Sequence, residues 1–187
     1  MKKAADLFKP GLVLLIVAAA ASLVLGLVNL GTAGRIEAIA VEKAEKAMQT
    51  VLPADAYEDL EYEDDGEVNA IYRASDAGWV VRVTESGSQG LVTMMVGLNS
   101  DLECTGVSIT ESSETAGLGA VASQQSEKGE AFRSQFIGAT GTVAVTKEGG
   151  TIDAISGATI TSKAVCRGVT AAIAACSALD GAAVPAV

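Results

Sequence analysis

Histidine is absent from the 187 residues, and the three cysteines, Cys104, Cys166 and Cys176, are scattered with no Cys-x-x-Cys pair among them. Zinc sites and protein-held iron–sulfur clusters need grouped imidazole or thiolate ligands, so both are excluded. If Cys166 and Cys176 share one helix, their spacing puts them about 15 Å apart, beyond the roughly 4.4–6.8 Å that a disulfide spans. They read as small core residues. Positive charge is also scarce: 13 Lys and Arg face 23 Asp and Glu, for a net charge of −10. Lys2, Lys3 and Lys9 stand at the start, leaving 10 basic against 22 acidic residues over 31–187. Such a body repels nucleic acid. With neither clustered metal ligands nor imidazole, any chemistry has to come from elsewhere.

What the chain does have is a run of 20 uncharged residues over 11–30, GLVLLIVAAAASLVLGLVNL. A helix of that length crosses a ~30 Å hydrocarbon layer, and signal-peptide cores are shorter, about 7–15 residues. The run is therefore expected to be a retained transmembrane helix rather than a leader cut near Gly31-Thr-Ala33. Lysines before it, and none after it until Arg35 supplies the next basic residue, orient residues 1–10 to the cytoplasm and the body outside it. Pilin-like subunits also begin with such a helix, but their usual glutamate near its start is missing. The remaining length suffices for one domain with its own core.

From Arg35 to about Leu52, Ile36, Ile39, Ala40, Ala44, Ala47, Met48 and Val51 recur at helical spacing, and Pro53 stops the pattern. Residues 31–66 are thus read as a helix followed by an acidic linker. Seven of the ten residues 58–67 are acidic, which suits a solvated loop or an edge strand. Calcium binding at Asp64 and Asp65 is disfavoured because the alternation of an EF-hand loop is lacking. Four strands follow at 68–73, 79–84, 91–98 and 102–110, with turn chemistry at Asp76-Ala-Gly78, Ser86-Gly-Ser-Gln-Gly90 and Asn99-Ser-Asp101. They predict an antiparallel meander in which Trp79, Val81 and Val83 share one face. A polar helix is expected over 124–137, closed by Gly138, then two further strands at 142–146 and 151–155. A final helix to about Leu179 presents Val165, Val169, Ala172, Ile173, Cys176 and Leu179 as one apolar stripe. The fold class is α+β, with the main domain over 67–180 and a tail, 181–187, expected to be loose.

Two short motifs carry the chemistry. In Asp153-Ala-Ile-Ser156-Gly157-Ala158-Thr159, Ser156 reads as the N-cap of the last helix and Thr159 falls in its first turn. Unpaired N–H groups and the positive end of the helix dipole suit an anion there, such as a phosphate on the threonine oxygen. Thr161, Ser162 and Lys163 are candidates to help hold it, although Lys163 reads equally well as a solvated lysine. Helix capping alone is the bland alternative. In Glu114-Thr115-Ala116-Gly117-Leu118-Gly119, the two glycines permit positive φ and close approach to a flat ligand, and the string also fits a plain turn.

Together with the N-terminal helix, these motifs resemble the covalent-FMN subunits of respiratory ion pumps. Two members compete: the G subunit of Rnf-type ferredoxin:NAD oxidoreductases and the C subunit of sodium-pumping NADH:quinone reductases, with the compact length closer to the first. The resemblance implies that a flavin transferase reads Asp153, Ser156, Gly157, Ala158 and Thr159 and moves FMN from FAD onto Thr159 as a phosphoester. Asp153 alternatively pairs with backbone donors of the turn. The resemblance further implies that Glu114, Thr115, Gly117, Leu118 and Gly119, with Ser156, Gly157, Ala158 and Thr161, lie near the cofactor. Ala116 stands where the family usually has proline, which loosens the loop without removing a reactive atom. The implied role is an electron relay in the cell (inner) membrane, inactive alone, with other complex subunits, the transferase and the bilayer as partners. A membrane-tethered flavin sensor and a cofactor-free interaction protein are the rivals from other classes.

Overall fold

The computed structural model describes residues 2–60, 62 and 66–181. They divide into two compact units, with the boundary between Glu42 and Lys43. Helix α1 runs from Lys2 to Val51 without interruption, so the two helices expected over 11–30 and from Arg35 are one. The reason is local. Gly31 and Gly34 weaken a helix by about 1 kcal/mol each but keep their N–H groups, and Thr32 Oγ1 folds back onto the Val28 carbonyl at 2.9 Å. No proline stands between Pro10 and Pro53. The helix is long and apolar enough to cross a membrane, with a mean hydropathy of 2.8 in its most apolar stretch.

The second unit is built on a five-stranded antiparallel meander, β1 (Glu58–Leu60), β2 (Val68–Ala74), β3 (Gly78–Ser86), β4 (Leu91–Asn99) and β5 (Cys104–Ser112), in sequential order. β1 pairs with β2 and makes the first acidic residues an edge strand, where charge discourages further pairing. Residues 61 and 63–65, including the disfavoured calcium ligands Asp64 and Asp65, lie outside the described residues, as does the tail from 182.

The sheet is covered on both faces. One face, with Trp79, Val81, Val83, Met94, Val96 and Ile109, packs against Phe132, Phe136 and helix α3 (Thr159–Gly181). The predicted stripe of α3 is the one buried there: Val165, Val169, Ala172, Ile173 and Cys176 are core residues, and Leu179 packs at their margin. On the other face, Val80, Met95 and Ala74 meet Ala47, Met48, Val51 and Leu52 at the end of α1. The Val51 backbone lies directly on Gly97 and Gly106, paired neighbours on β4 and β5. Val51 also ends a helix, so its carbonyl lacks an intrahelical partner, and Thr105 Oγ1 donates to it at 2.6 Å. Replacing Thr105 by the isosteric Val strands that oxygen. Thr105→Val is expected to cost about 1 kcal/mol, measurable as a lower urea midpoint with an unchanged slope.

Three expectations require correction. The helix predicted over 124–137 is shorter: α2 spans Glu127–Ser134, because Ser126 caps it by accepting from the Gly129 N–H at 3.3 Å. Its approach is a 3₁₀ turn, Gly119–Ser123. The expected strands at 142–146 and 151–155 are one isolated bridge, Val145 to Ile152, around a 3₁₀ turn at Thr146–Glu148. The alternation that suggested strands is real burial of Val143, Val145 and Ile152, but the Val143 N–H goes to Thr170 Oγ1 at 2.9 Å instead of a neighbouring strand. Finally, α3 starts at Thr159, and Ser156 does not cap it. Ala158 supplies the first helical acceptor, bonded by the Ser162 N–H at 2.9 Å. Ser156 and Gly157 are the middle of a turn closed by Ala158 N–H to Ile155 O at 2.9 Å, and Gly157 has φ +77°, the third-position geometry that favours glycine.

Candidate functional site

The β3–β4 hairpin, the 114–119 loop and the first turn of α3 converge around a cleft of ≈ 280 Å³. Thr115, Leu118, Gly119, Gly157, Ala158, Thr159 and Thr161 all line it, beside Ser88, Gln89 and Glu114. Thus two motifs some 40 residues apart in sequence share one wall, as their pairing suggested. Gly117, Asp153 and Ser156 instead line an adjoining ≈ 360 Å³ cleft with Lys128 and Phe132. Leu118 and Gly157 meet between the two, close enough that a Cβ on Gly157 would lie 3.0 Å from Leu118 Cδ2.

The hydroxyls at the helix start are not equivalent. Ser162 is fully buried; its Oγ donates to Ala158 O at 2.9 Å and accepts from the Ile155 N–H at 3.0 Å. Thr161 is 1% exposed and donates to Glu114 Oε2 at 2.7 Å. Lys163 is turned to Glu148, with Nζ 2.6 Å from Oε1. All three residues suggested as phosphate partners therefore have their polar atoms engaged elsewhere. Thr159, half-buried in the cleft, makes no side-chain hydrogen bond among the described residues. It is also the first helical residue, where N–H groups lack intrahelical acceptors.

Glu114 anchors the cleft. Its Oε1 accepts from the N–H groups of Ser88 at 2.7 Å and Gln89 at 3.0 Å, and its Oε2 holds Thr161. Desolvation by burial raises its pKa, but hydrogen bonds from Thr161, Gln89, Ser88 and Gly90 outweigh that and hold the carboxyl below the usual carboxylate range. Sequence reasoning missed Ser88 and Gln89, whose only local signature is hairpin chemistry. It also missed Ile160, which lies 57% exposed on the cleft wall beside Thr159, as does the 45% exposed Leu118. Asp153 is exposed, and its carboxylate pairs with no donor of the turn; its backbone is clamped by Gln135, with N–H to Oε1 at 2.7 Å and O to Nε2 at 3.3 Å. The turn-pairing alternative for Asp153 is thereby removed.

The thiols sit apart from the cleft. Cys104 and Cys166 are buried, and burial is the main cause that pushes both thiols up to about 11. They are protonated at neutral pH, which makes them poor nucleophiles.

A family profile for the FMN-binding domain matches residues 87–174, which take in the hairpin, the loop and most of α3. The G subunit of the ion-translocating oxidoreductase complex of Methanosarcina acetivorans is 32% identical over 97% of this chain and 100% of its own. The G subunit of the Na(+)-translocating ferredoxin:NAD(+) oxidoreductase complex of Acetobacterium woodii is 37% identical over 89% of both chains. A third relative, the G subunit of the ion-translocating oxidoreductase complex of Pseudoalteromonas atlantica, is 31% identical over 84% of this chain and 82% of its own. With loop, turn and helix arranged around one cleft and the likeness running nearly end to end, the chain belongs to the family of ion-translocating oxidoreductase complex G subunits.

Proposed function

We propose that the chain carries FMN as a phosphoester on Thr159 and serves as an electron-relay subunit of a membrane-bound, ion-translocating ferredoxin:NAD oxidoreductase complex. The observation that carries the attachment site is the state of Thr159: uncommitted, half-buried, and first in a helix that opens onto the cleft. The residues fit the group. Backbone N–H groups of the first turn of α3 would hold the phosphodiester, favoured by the helix dipole. Leu118 and Ile160 offer apolar surface beside it. At ≈ 280 Å³ the cleft falls just under the roughly 300–1,000 Å³ of ordinary small-molecule sites, consistent with a tether retaining what shallow burial would release.

FMN, when bound, supplies the redox chemistry, and the protein supplies position and surroundings. The body of the chain contributes an ionised carboxylate, Glu114, with no cation among its perturbing neighbours. Helix α1 would fix the domain at the bilayer, N-terminus in the cytoplasm and FMN domain outside, as Lys2, Lys3 and Lys9 indicate. Asp153, exposed beside the turn, suits a handle for the flavin transferase. Partner subunits would pass electrons through this chain, which turns nothing over alone.

The test is direct. The full chain, co-expressed with a flavin transferase and denatured, should fluoresce as a flavoprotein band. Its intact mass should rise by one FMN less water, with the adduct mapped by tandem mass spectrometry to Thr159. A band that stays dark, or an adduct on another residue, would sink the tether.

A further inference from the structure

We propose that Glu114 is a positioning residue for the attachment threonine: its carboxylate is a three-way latch that fastens the β3–β4 hairpin and the 114–119 loop to the first turn of α3. This rests on the reading of Thr159 as the tether, and assigns Glu114 a task distinct from contact with the flavin. Donors from two elements converge on its two oxygens: the Ser88 and Gln89 N–H groups on Oε1 and the Thr161 hydroxyl on Oε2, with the Gly90 N–H adding to the hairpin's hold. The slot for the carboxylate exists only because both flanks are glycine. A Cβ on Gly87 would fall 2.3 Å from Oε1, and one on Gly119 would fall 2.3 Å from Oε2 and 2.5 Å from Thr161 Oγ1.

The consequence lies two residues before Thr161. A helix's first turn has few hydrogen bonds of its own to hold it, so the part-buried bond from Thr161 to the loop sets the rotation of that turn about its axis. Thr159 takes its position from that rotation. The hydroxyl proton of Thr161 is spent on Glu114, which also keeps Thr161 from competing for modification. Misplacing a reacting group by about 1 Å can cost on the order of a hundredfold in rate. Losing the latch should therefore slow attachment far more than it destabilises the fold.

The test uses the purified full chain in detergent, with flavin transferase and FAD, following the initial rate of covalent flavin incorporation together with thermal unfolding. Glu114→Gln and Thr161→Val are each expected to lower kcat for attachment roughly tenfold or more, with KM for the chain within about twofold. The double variant should be no slower than the slower single, the signature of one shared interaction. Gly119→Ala keeps every polar group, yet should reproduce the defect by displacing the carboxylate, and Thr161→Ser should restore the rate. Wild-type rates in Glu114→Gln and Thr161→Val, or independent, multiplying losses in the double variant, would overturn the latch. Thr159→Ala is the separate control: covalent label on that variant overturns the tether reading itself, whatever the latch variants do.

Discussion

Thr159→Ala is expected to leave the protein folded and wholly without flavin that survives denaturation. Completeness of the loss follows from the state of the neighbouring hydroxyls. Thr161 and Ser162 are 1% and 0% exposed and each already donates its proton, to Glu114 and to the Ala158 carbonyl. Neither can present an oxygen to a transferase without melting the first turn of α3. Ser156 is exposed, but it sits inside the turn ahead of the helix and lines the neighbouring cleft. None of these hydroxyls is thus placed to substitute. Because Thr159 makes no side-chain hydrogen bond among the described residues, its replacement should change stability by no more than about 0.5 kcal/mol, so unfolding cannot explain the loss. Thr159→Ser keeps an oxygen at the same place and should keep the label, while Ser156→Ala, which alters the stretch the transferase is expected to read, should slow labelling without moving it from Thr159. Intact mass and in-gel fluorescence read all three. Fluorescence persisting on Thr159→Ala would end the assignment.

Much of the sheet was legible because its signals are local. Alternation in Trp79-Val-Val81-Arg-Val83 and glycine-rich turns located strands within a few residues, and a 3.6-residue stripe on Val165, Val169, Ala172 and Cys176 located α3 and its buried face. Elsewhere local pattern and tertiary context diverged. Val143, Val145 and Ile152 imitate strands by alternating, yet the Val143 N–H goes to Thr170 Oγ1, the Val145 carbonyl accepts from within a tight turn, and Ile152 makes a single bridge to Ala144 and Thr146. Ser156 has the chemistry of a cap but sits in the turn before the helix, where Gly157 alone can take the required positive φ. The paired motifs pointed to one site, whereas its joinery, Glu114 to Thr161 across 47 residues and to Ser88 across 26, has no periodicity from which to be read. Long-range side-chain bonds of this kind depend on how packed elements meet, which the hydrophobic pattern leaves open.

Gly78→Val is expected to be the most damaging single change in the sheet. Gly78 has φ +135°, and a Cβ there would lie 2.1 Å from the Leu98 carbonyl oxygen and 2.9 Å from the Asn99 backbone. Both obstacles are main chain. Gly78 pairs with Ala74 on β2 and Asn99 on β4, and Trp79 pairs with Leu98. Moving the clash aside therefore opens two ladders at the corner where the core residue Trp79 enters. Backbone strain of about 1–3 kcal/mol adds to overpacking of about 1–3 kcal/mol. A total near 3 kcal/mol or more is a large part of the roughly 5–15 kcal/mol that holds a domain together. At about 2–4 °C per kcal/mol for a chain of this size, the melting temperature should fall by about 6–12 °C. Gly149→Val separates the two causes: its φ is +83° but nothing lies within 4 Å of its Cβ position, so only the conformational part remains. Equal melting temperatures for the two variants would show that the Leu98 carbonyl yields freely and that the sheet corner is softer than its pairing implies.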